Sequence, residues 1–144
     1  MKHILVINGP NLNLLGLREP DIYGKRTFAD LEEYIRLQAD ALGVRVSLYQ
    51  SNHEGDIIDR IQAAYGQEDG ILINAGGYTH TSVAILDALK AVQLPTAEVH
   101  LSDISSREEF RRFSYISLYA QKVIYGKGFE GYAEALRWLA DRVN

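Results

Sequence analysis

Ile4-Leu5-Val6-Ile7-Asn8-Gly9-Pro10-Asn11 opens the chain with four apolar residues in a row, then breaks on amides, a glycine and a proline. The run is too short for a helical stripe. It also does not alternate apolar with polar, as a strand wetted on one face would. Such a strand is covered on both faces, which points to a parallel sheet with helices above and below it. Ile71-Leu72-Ile73 repeats the pattern, and residues 44–48, 96–99 and 122–125 form three further strand-like runs. Helical patterns fill the gaps. Thr27 and Asp30 are spaced as a capping box, Phe28, Leu31, Ile35, Ala39 and Leu42 share one helical face, and Gly43 stands at the expected C-cap. Ile57, Ile58, Ile61, Ala64 and Tyr65 form a second stripe closed by Gly66. Val83, Leu86, Leu89 and Val92 form a third, stopped by Pro95, and Tyr132, Leu136, Leu139 and Val143 form the last. Strands alternating with helices build right-handed βαβ units, and five of them at this length fit a flavodoxin-like α/β fold. That fold is a doubly wound, five-stranded parallel sheet of order 2-1-3-4-5.

The 144 residues include no cysteine, which removes disulfides, iron–sulfur clusters, thiolate nucleophiles and zinc ribbons. One domain over residues 1–144 is expected at this length, with a core that needs no staple. No apolar run exceeds four residues, so no membrane span is expected. Met1-Lys2-His3 leads straight into the first strand without a signal-peptide pattern, so the expected location is cytoplasmic. Fifteen Lys and Arg stand against 19 Asp and Glu, a net charge of −4, which speaks against a nucleic-acid partner.

Residues 9–26 separate the first strand from the first helix without clear periodicity. A connection that long in a compact domain is typically a binding loop or lid. This one carries Arg18 and Tyr23. A free tyrosine ionises near pH ~10, and nearby cations favour its tyrosinate, so Tyr23 is either an activated base or a packing residue.

Ligands of open α/β sheets bind outside the carboxyl ends of the strands, here near strands one and three. Strand one ends in Asn8-Gly9-Pro10-Asn11, strand three in Asn74-Ala75-Gly76-Gly77-Tyr78-Thr79-His80, and strand four in Glu98-Val99-His100-Leu101-Ser102. The fold gathers these amides, histidines and a carboxylate at one rim. Each has a plainer reading: Asn11 and Asn74 as turn formers, the glycines as a loop, His80 as a structural residue, and His3 and His53 as ordinary surface histidines. Period-two alternation places Glu98 and His100 on the same side of their strand. A carboxylate there fixes the imidazole tautomer and suits acid–base work, or else forms a structural pair. No third ligand accompanies them, so no metal is expected. Ser106 and Glu109 match a capping box at a helix start, with Arg107 and Arg111 four residues apart on one face. Those guanidinium groups suit a substrate carboxylate. Alternatively they belong to a salt-bridged face in which Glu108 pairs Arg112. A flavin carrier would need a Ser/Thr-rich phosphate loop after strand one, and a receiver domain a phosphorylatable Asp after strand three. Those places hold Asn8–Asn11 and Asn74 instead.

The blocks from Asn8 to Gly16 with Arg18-Glu19-Pro20 and Tyr23-Gly24, Gln50 to Gly55, Gly77 to Ser82, Glu98 to Ser102 and Arg107 to Arg111 occur in order along nearly the whole chain. In these blocks the sequence resembles the type II 3-dehydroquinate dehydratases. The resemblance implies dehydration of 3-dehydroquinate to 3-dehydroshikimate through an enolate, with no metal, no Schiff base and no cofactor. It implies Tyr23 as the base activated by Arg18, a water held by Asn11 at the enolate, and His100 oriented by Glu98 as the acid. It implies a substrate-carboxylate pocket from Asn74, Leu101 and Ser102, and hydroxyl contacts from His80 and Arg111. Arg107 falls in the supporting segment, and Asp87 matches an acid that reaches a neighbouring subunit in a dodecamer built from trimers. Three positions depart from the family: Ala75 where proline is usual, Asp103 where asparagine is usual, and Ser105 where histidine is common. Asp103 is expected to bring a negative charge close to the carboxylate pocket. Arg18, Lys25, Arg26, Arg107, Arg111 and Arg112 are expected to border the site and make it locally cationic.

Overall fold

The strands β1 (His3–Asn8), β2 (Arg45–Gln50), β3 (Gly70–Asn74), β4 (Thr96–His100) and β5 (Lys122–Tyr125) pair in parallel in the order β2-β1-β3-β4-β5. This is the flavodoxin-like order that the alternation of runs predicts. The protein is a computed structural model that describes residues 1–17, 21 and 25–143. Arg18 and Tyr23 lie outside the described residues. Four α-helices stand among those described: α1 (Phe28–Leu42), α2 (Glu54–Ala64), α3 (Val83–Val92) and α4 (Phe129–Val143). None is long and apolar enough to cross a membrane.

The unbroken apolar runs of β1 and β3 have the expected consequence. Ile4, Val6, Leu72, Ala97 and Val99 face one way and pack on α1 and α4. Leu5, Ile7, Ile71 and Ile73 face the other and pack on α2 and α3. Each such side chain, removed from water, stabilises the fold by about 1.5–3 kcal/mol. Period two therefore directs Thr96, Glu98 and His100 away from the α4 layer, and β4 is buried throughout despite two ionisable residues.

The helix signals resolve into real caps. The Asp30 N–H donates to Thr27 Oγ1 at 3.2 Å and the Thr27 N–H to Asp30 Oδ2 at 2.9 Å, closing a capping box on α1. Gly43 ends that helix at φ 71°. The long connection after β1 is not all lid. Leu12 and Leu15 are buried in the α1 and α4 core, the first opening a 3₁₀ turn over Leu12–Leu14 and the second capping it.

The expected helix beginning at Ser106 does not form. Two 3₁₀ turns, Ile104–Ser106 and Glu109–Arg111, stand there, separated by extended backbone at Arg107 and Glu108. Asp103 is the actual cap, accepting the Ser105 N–H at 2.9 Å, and the Ser106 hydroxyl turns back to the Asp103 carbonyl. The segment buries Ile104 but leaves Phe110 exposed, so it has no apolar stripe to hold a helix against the core. The side-chain pairing changes too. Glu108 binds Arg111 at 2.6 Å, and Arg112 donates to the Arg107 carbonyl instead of meeting Glu108.

Candidate active site

The site begins where β1 and β3 end, with Asn8 and Asn74 side by side in register. Both amides are buried and both are held by Tyr132 of α4. Its hydroxyl donates to Asn8 Oδ1 at 2.5 Å and accepts from Asn74 Nδ2 at 3.0 Å. Complete burial pushes the Tyr132 phenol well above its ordinary range, so it remains a hydrogen-bond donor. Asn74 Oδ1 accepts the Gly76 N–H at 3.1 Å, which fixes its amide orientation and leaves one Nδ2 proton for the rim. The two loops above touch backbone to backbone. A Cβ on Gly9 would lie 2.4 Å from the Ala75 carbonyl oxygen, and Gly76 sits at φ +59° with the Pro10 carbonyl beside it. Asn11 also takes left-handed backbone, at φ 70°, and its N–H is anchored on Asn52 Oδ1 at 3.1 Å. Gln50 ties down the Gly9 carbonyl, and the Tyr78 hydroxyl the Asn52 carbonyl.

At the end of β4 the Glu98–His100 pair forms as the alternation predicts, through His100 Nε2 and Glu98 Oε2. Glu98 is fully buried. Burial alone would raise its pKa, but hydrogen bonds and charge from His100, with hydroxyls of Ser114 and Ser117, outweigh that and hold it below the ordinary value. Since the carboxylate is an acceptor, Nε2 carries the proton in that bond, and Nδ1 is the ring nitrogen left for the cavity.

His80 is wired the other way. Its Nδ1 donates to the Phe113 carbonyl at 2.8 Å, which leaves Nε2 as its free acceptor. Burial, opposed by that hydrogen bond and assisted by His100 and Arg111, lowers its pKa and favours the neutral ring. Between the two histidines lies a cavity of about 400 Å³, lined also by Asn11, Asn74, Leu101, Ser102, Arg107 and Arg111. Arg107 Nη1 donates to Ser102 Oγ at 3.2 Å, so the serine proton is directed onward. The set offers an acid–base histidine, an acceptor histidine, two guanidinium groups and hydroxyl and amide donors. Such a set fits a small polyhydroxy carboxylate.

Seven of the sequence-predicted residues thus meet in one cavity: Asn11, Asn74, His80, His100, Leu101, Ser102 and Arg111. Glu98 stands behind His100. Asp87 is exposed on α3 and does not line this cavity. Of the expected cationic border, Arg107 and Arg111 line the cavity. Arg26 instead lies 3.7 Å over the Phe129 ring, and Arg112 faces away to the Arg107 carbonyl. The feared charge of Asp103 is engaged elsewhere, its Oδ1 accepting both the N–H and, at 2.5 Å, the hydroxyl of Ser105. Two of the three departures from the family pattern, Asp103 and Ser105, are therefore each other's partners. Sequence reading missed Tyr132, which scores as one more core residue of a helical stripe, and the hydroxyls of Thr79, Ser114 and Ser117 around Glu98. Isolated hydroxyls from distant segments leave no pattern to find.

Fold and site together define a flavodoxin-like α/β protein with a polar cavity at the carboxyl edge of its sheet, where ligands of open α/β sheets bind. Residues 2–140 match the family Dehydroquinase class II. A 3-dehydroquinate dehydratase of Dinoroseobacter shibae is 54% identical over 134 residues, covering 93% of this chain and 89% of that protein. A catabolic 3-dehydroquinase of Aspergillus oryzae is 55% identical over 139 residues, covering 96% and 91%. The crystal structure of a type II dehydroquinase from Butyrivibrio crossotus superposes with a TM-score of 0.94 at 48% identity, covering 96% of this chain and 97% of that one. The chain belongs to the class II dehydroquinases.

Proposed function

We propose that this chain eliminates water from 3-dehydroquinate to give 3-dehydroshikimate, with the Glu98–His100 pair as its acid. Membership of the dehydroquinase family supports the reaction. The observation that carries the assignment of roles is that His100, backed by a buried and ionised Glu98, presents Nδ1 to a cavity lined with guanidinium, amide and hydroxyl donors. In this reading Tyr23, ionised beside Arg18, takes the proton alpha to the ketone. The C–H electron pair moves into an enolate, whose oxygen is stabilised by a water on Asn11. The enolate collapses, the C–O bond beta to the carbonyl breaks, and the departing hydroxyl takes the Nδ1 proton of His100, which enters this step as the imidazolium and keeps its Nε2 proton on Glu98, and leaves as water. Asn74, Leu101 and Ser102 hold the substrate carboxylate, while His80 Nε2 and Arg111 hold its hydroxyls. Nothing in the step requires a cofactor.

Isotope exchange tests the division of labour. Tyr23→Phe should lower turnover about 10²–10⁴-fold and abolish exchange of the alpha proton with solvent. His100→Ala should slow elimination while exchange persists. Near-normal turnover in either variant, or loss of exchange with His100→Ala, overturns the assignment. We further propose a cytoplasmic enzyme assembled as a dodecamer of trimers, in which Asp87 serves a neighbour's site. Its exposure on α3, outside its own chain's cavity, supports that reading.

A further inference from the structure

The strap from Phe113 to Ser117 touches His80 directly and reaches His100 through Glu98. The Phe113 carbonyl receives His80 Nδ1, the Tyr115 N–H donates to the Thr79 carbonyl at 2.8 Å, and Ile116 pins the strap in the core. Two of its hydroxyls turn inward. Ser114 Oγ lies 2.6 Å from Glu98 Oε2, and Ser117 Oγ lies 2.6 Å from Glu98 Oε1. Counting protons orders this network. Thr79 Oγ1 is 2.7 Å from Ser114 Oγ but 3.1 Å from Glu98 Oε2, and each hydroxyl has one proton. The shorter path runs from Thr79 to Ser114 and from Ser114 to Glu98. Oε2 then holds His100 and Ser114, whereas Oε1, among the described residues, depends on Ser117.

A fully buried carboxylate loses its hydration, and an oxygen left without a donor penalises the charged form. We propose that Ser117 is a positioning residue of the dehydratase, locking the plane and charge of Glu98 so that His100 stays oriented as the acid. The proposal rests on the reading of Glu98 and His100 given above. Ser117 acts on the pair from outside the cavity and touches no substrate. The other ionisable groups around the pair are His80, on the turn Gly76–His80, Arg107 and Arg111, across the cavity, Tyr125, in register with His100 on β5, and Arg112, which lines the same surface depression as Ser117. The strap's own Tyr115 packs edge-on against Phe113 at 5.0 Å. None of these donates to Oε1.

Ser117 itself is exposed, so its substitution spares the core. The pH dependence of kcat in Ser117→Ala is the test. Hydrogen bonds to charged groups are worth enough that the acid limb should move up by about one to two pH units, with KM little changed. Ser117→Thr, which keeps the hydroxyl, should restore the wild-type limb. An acid limb of Ser117→Ala superposing on the wild type overturns the proposal, as does a limb that Ser117→Thr fails to restore. Glu98→Gln in parallel separates this from failure of the underlying reading. If Glu98→Gln retains full turnover the pair is not the acid at all. If it is inactive while Ser117→Ala is unshifted, only the role of Ser117 falls.

Discussion

Two histidines share one cavity and carry opposite wiring. His100 donates through Nε2 to a carboxylate, and His80 donates through Nδ1 to a carbonyl. The difference in partner sets what each does. A carboxylate stabilises an imidazolium, whereas a carbonyl fixes a tautomer without supplying a full charge. Burial, with His100 and Arg111 adding to it, lowers the pKa of His80 from 6.5. Between the folded value and 6.5 the unfolded chain binds the extra proton, so this residue's contribution to stability is full above 6.5 and declines as pH falls below it. Glu98 adds a lower window. Its folded pKa lies beneath 4.5, so its contribution is present above 4.5 and is lost as pH falls through the folded value. Urea midpoints for wild type and His80→Asn, whose amide can still reach the Phe113 carbonyl, should converge on going from pH ~7 to ~5. The gap should close because wild type loses the His80 contribution. Midpoints that diverge in favour of wild type on acidification would contradict a neutral His80.

The strands and the four helices were legible because each carries a repeating signal: unbroken apolar runs, stripes at helical spacing, and caps at both ends of α1. The segment after β4 was misread because Ser106 and Glu109 satisfy a local capping rule without an apolar face behind them. Asp103, three residues earlier, takes the Ser105 N–H with its carboxylate and the Ser106 N–H with its carbonyl, so the box expected at Ser106 does not close. The close approach of the β1 and β3 loops was invisible as well, since Gly9 reads as an ordinary turn residue. Its Cβ position lies 2.4 Å from the Ala75 oxygen and 2.6 Å from the Ala75 carbon, and its N–H donates to the Asn74 carbonyl at 2.8 Å. Gly9→Ala must push apart the two loops that carry Asn11 and Asn74. It should destabilise the protein by about 1–3 kcal/mol, read from the urea midpoint, and raise KM more than Gly43→Ala does. Gly43 has open space around its Cβ position but sits at φ +71°, so it controls for backbone strain alone. Equal KM values in the two variants would mean that the loop contact does not shape the site.

At the scale of the whole molecule, the cationic cavity is compatible with a net charge of −4 because, among the described residues, Arg107 and Arg111 line it while Arg26 and Arg112 are engaged elsewhere. The same separation bears on Asp87. Its carboxylate is exposed on α3, outside its own cavity. Phe110, Phe113 and Leu118 are exposed too, at 68%, 52% and 60%. Large apolar side chains left in water are natural contact points for further copies of the chain. If Asp87 completes a neighbour's site, two inactive variants should rescue each other. A Tyr23→Phe chain lacks the base but offers Asp87, and an Asp87→Ala chain keeps the base but offers its neighbour nothing. In an equal mixture dissociated and reassembled together, about a quarter of sites pair an intact Tyr23 with an intact Asp87, and that share of wild-type activity should return. Light scattering on the same sample should report twelve chains. A mixture no more active than the average of its parents would place Asp87 outside the neighbouring site, and a monomeric mass would remove the shared site altogether.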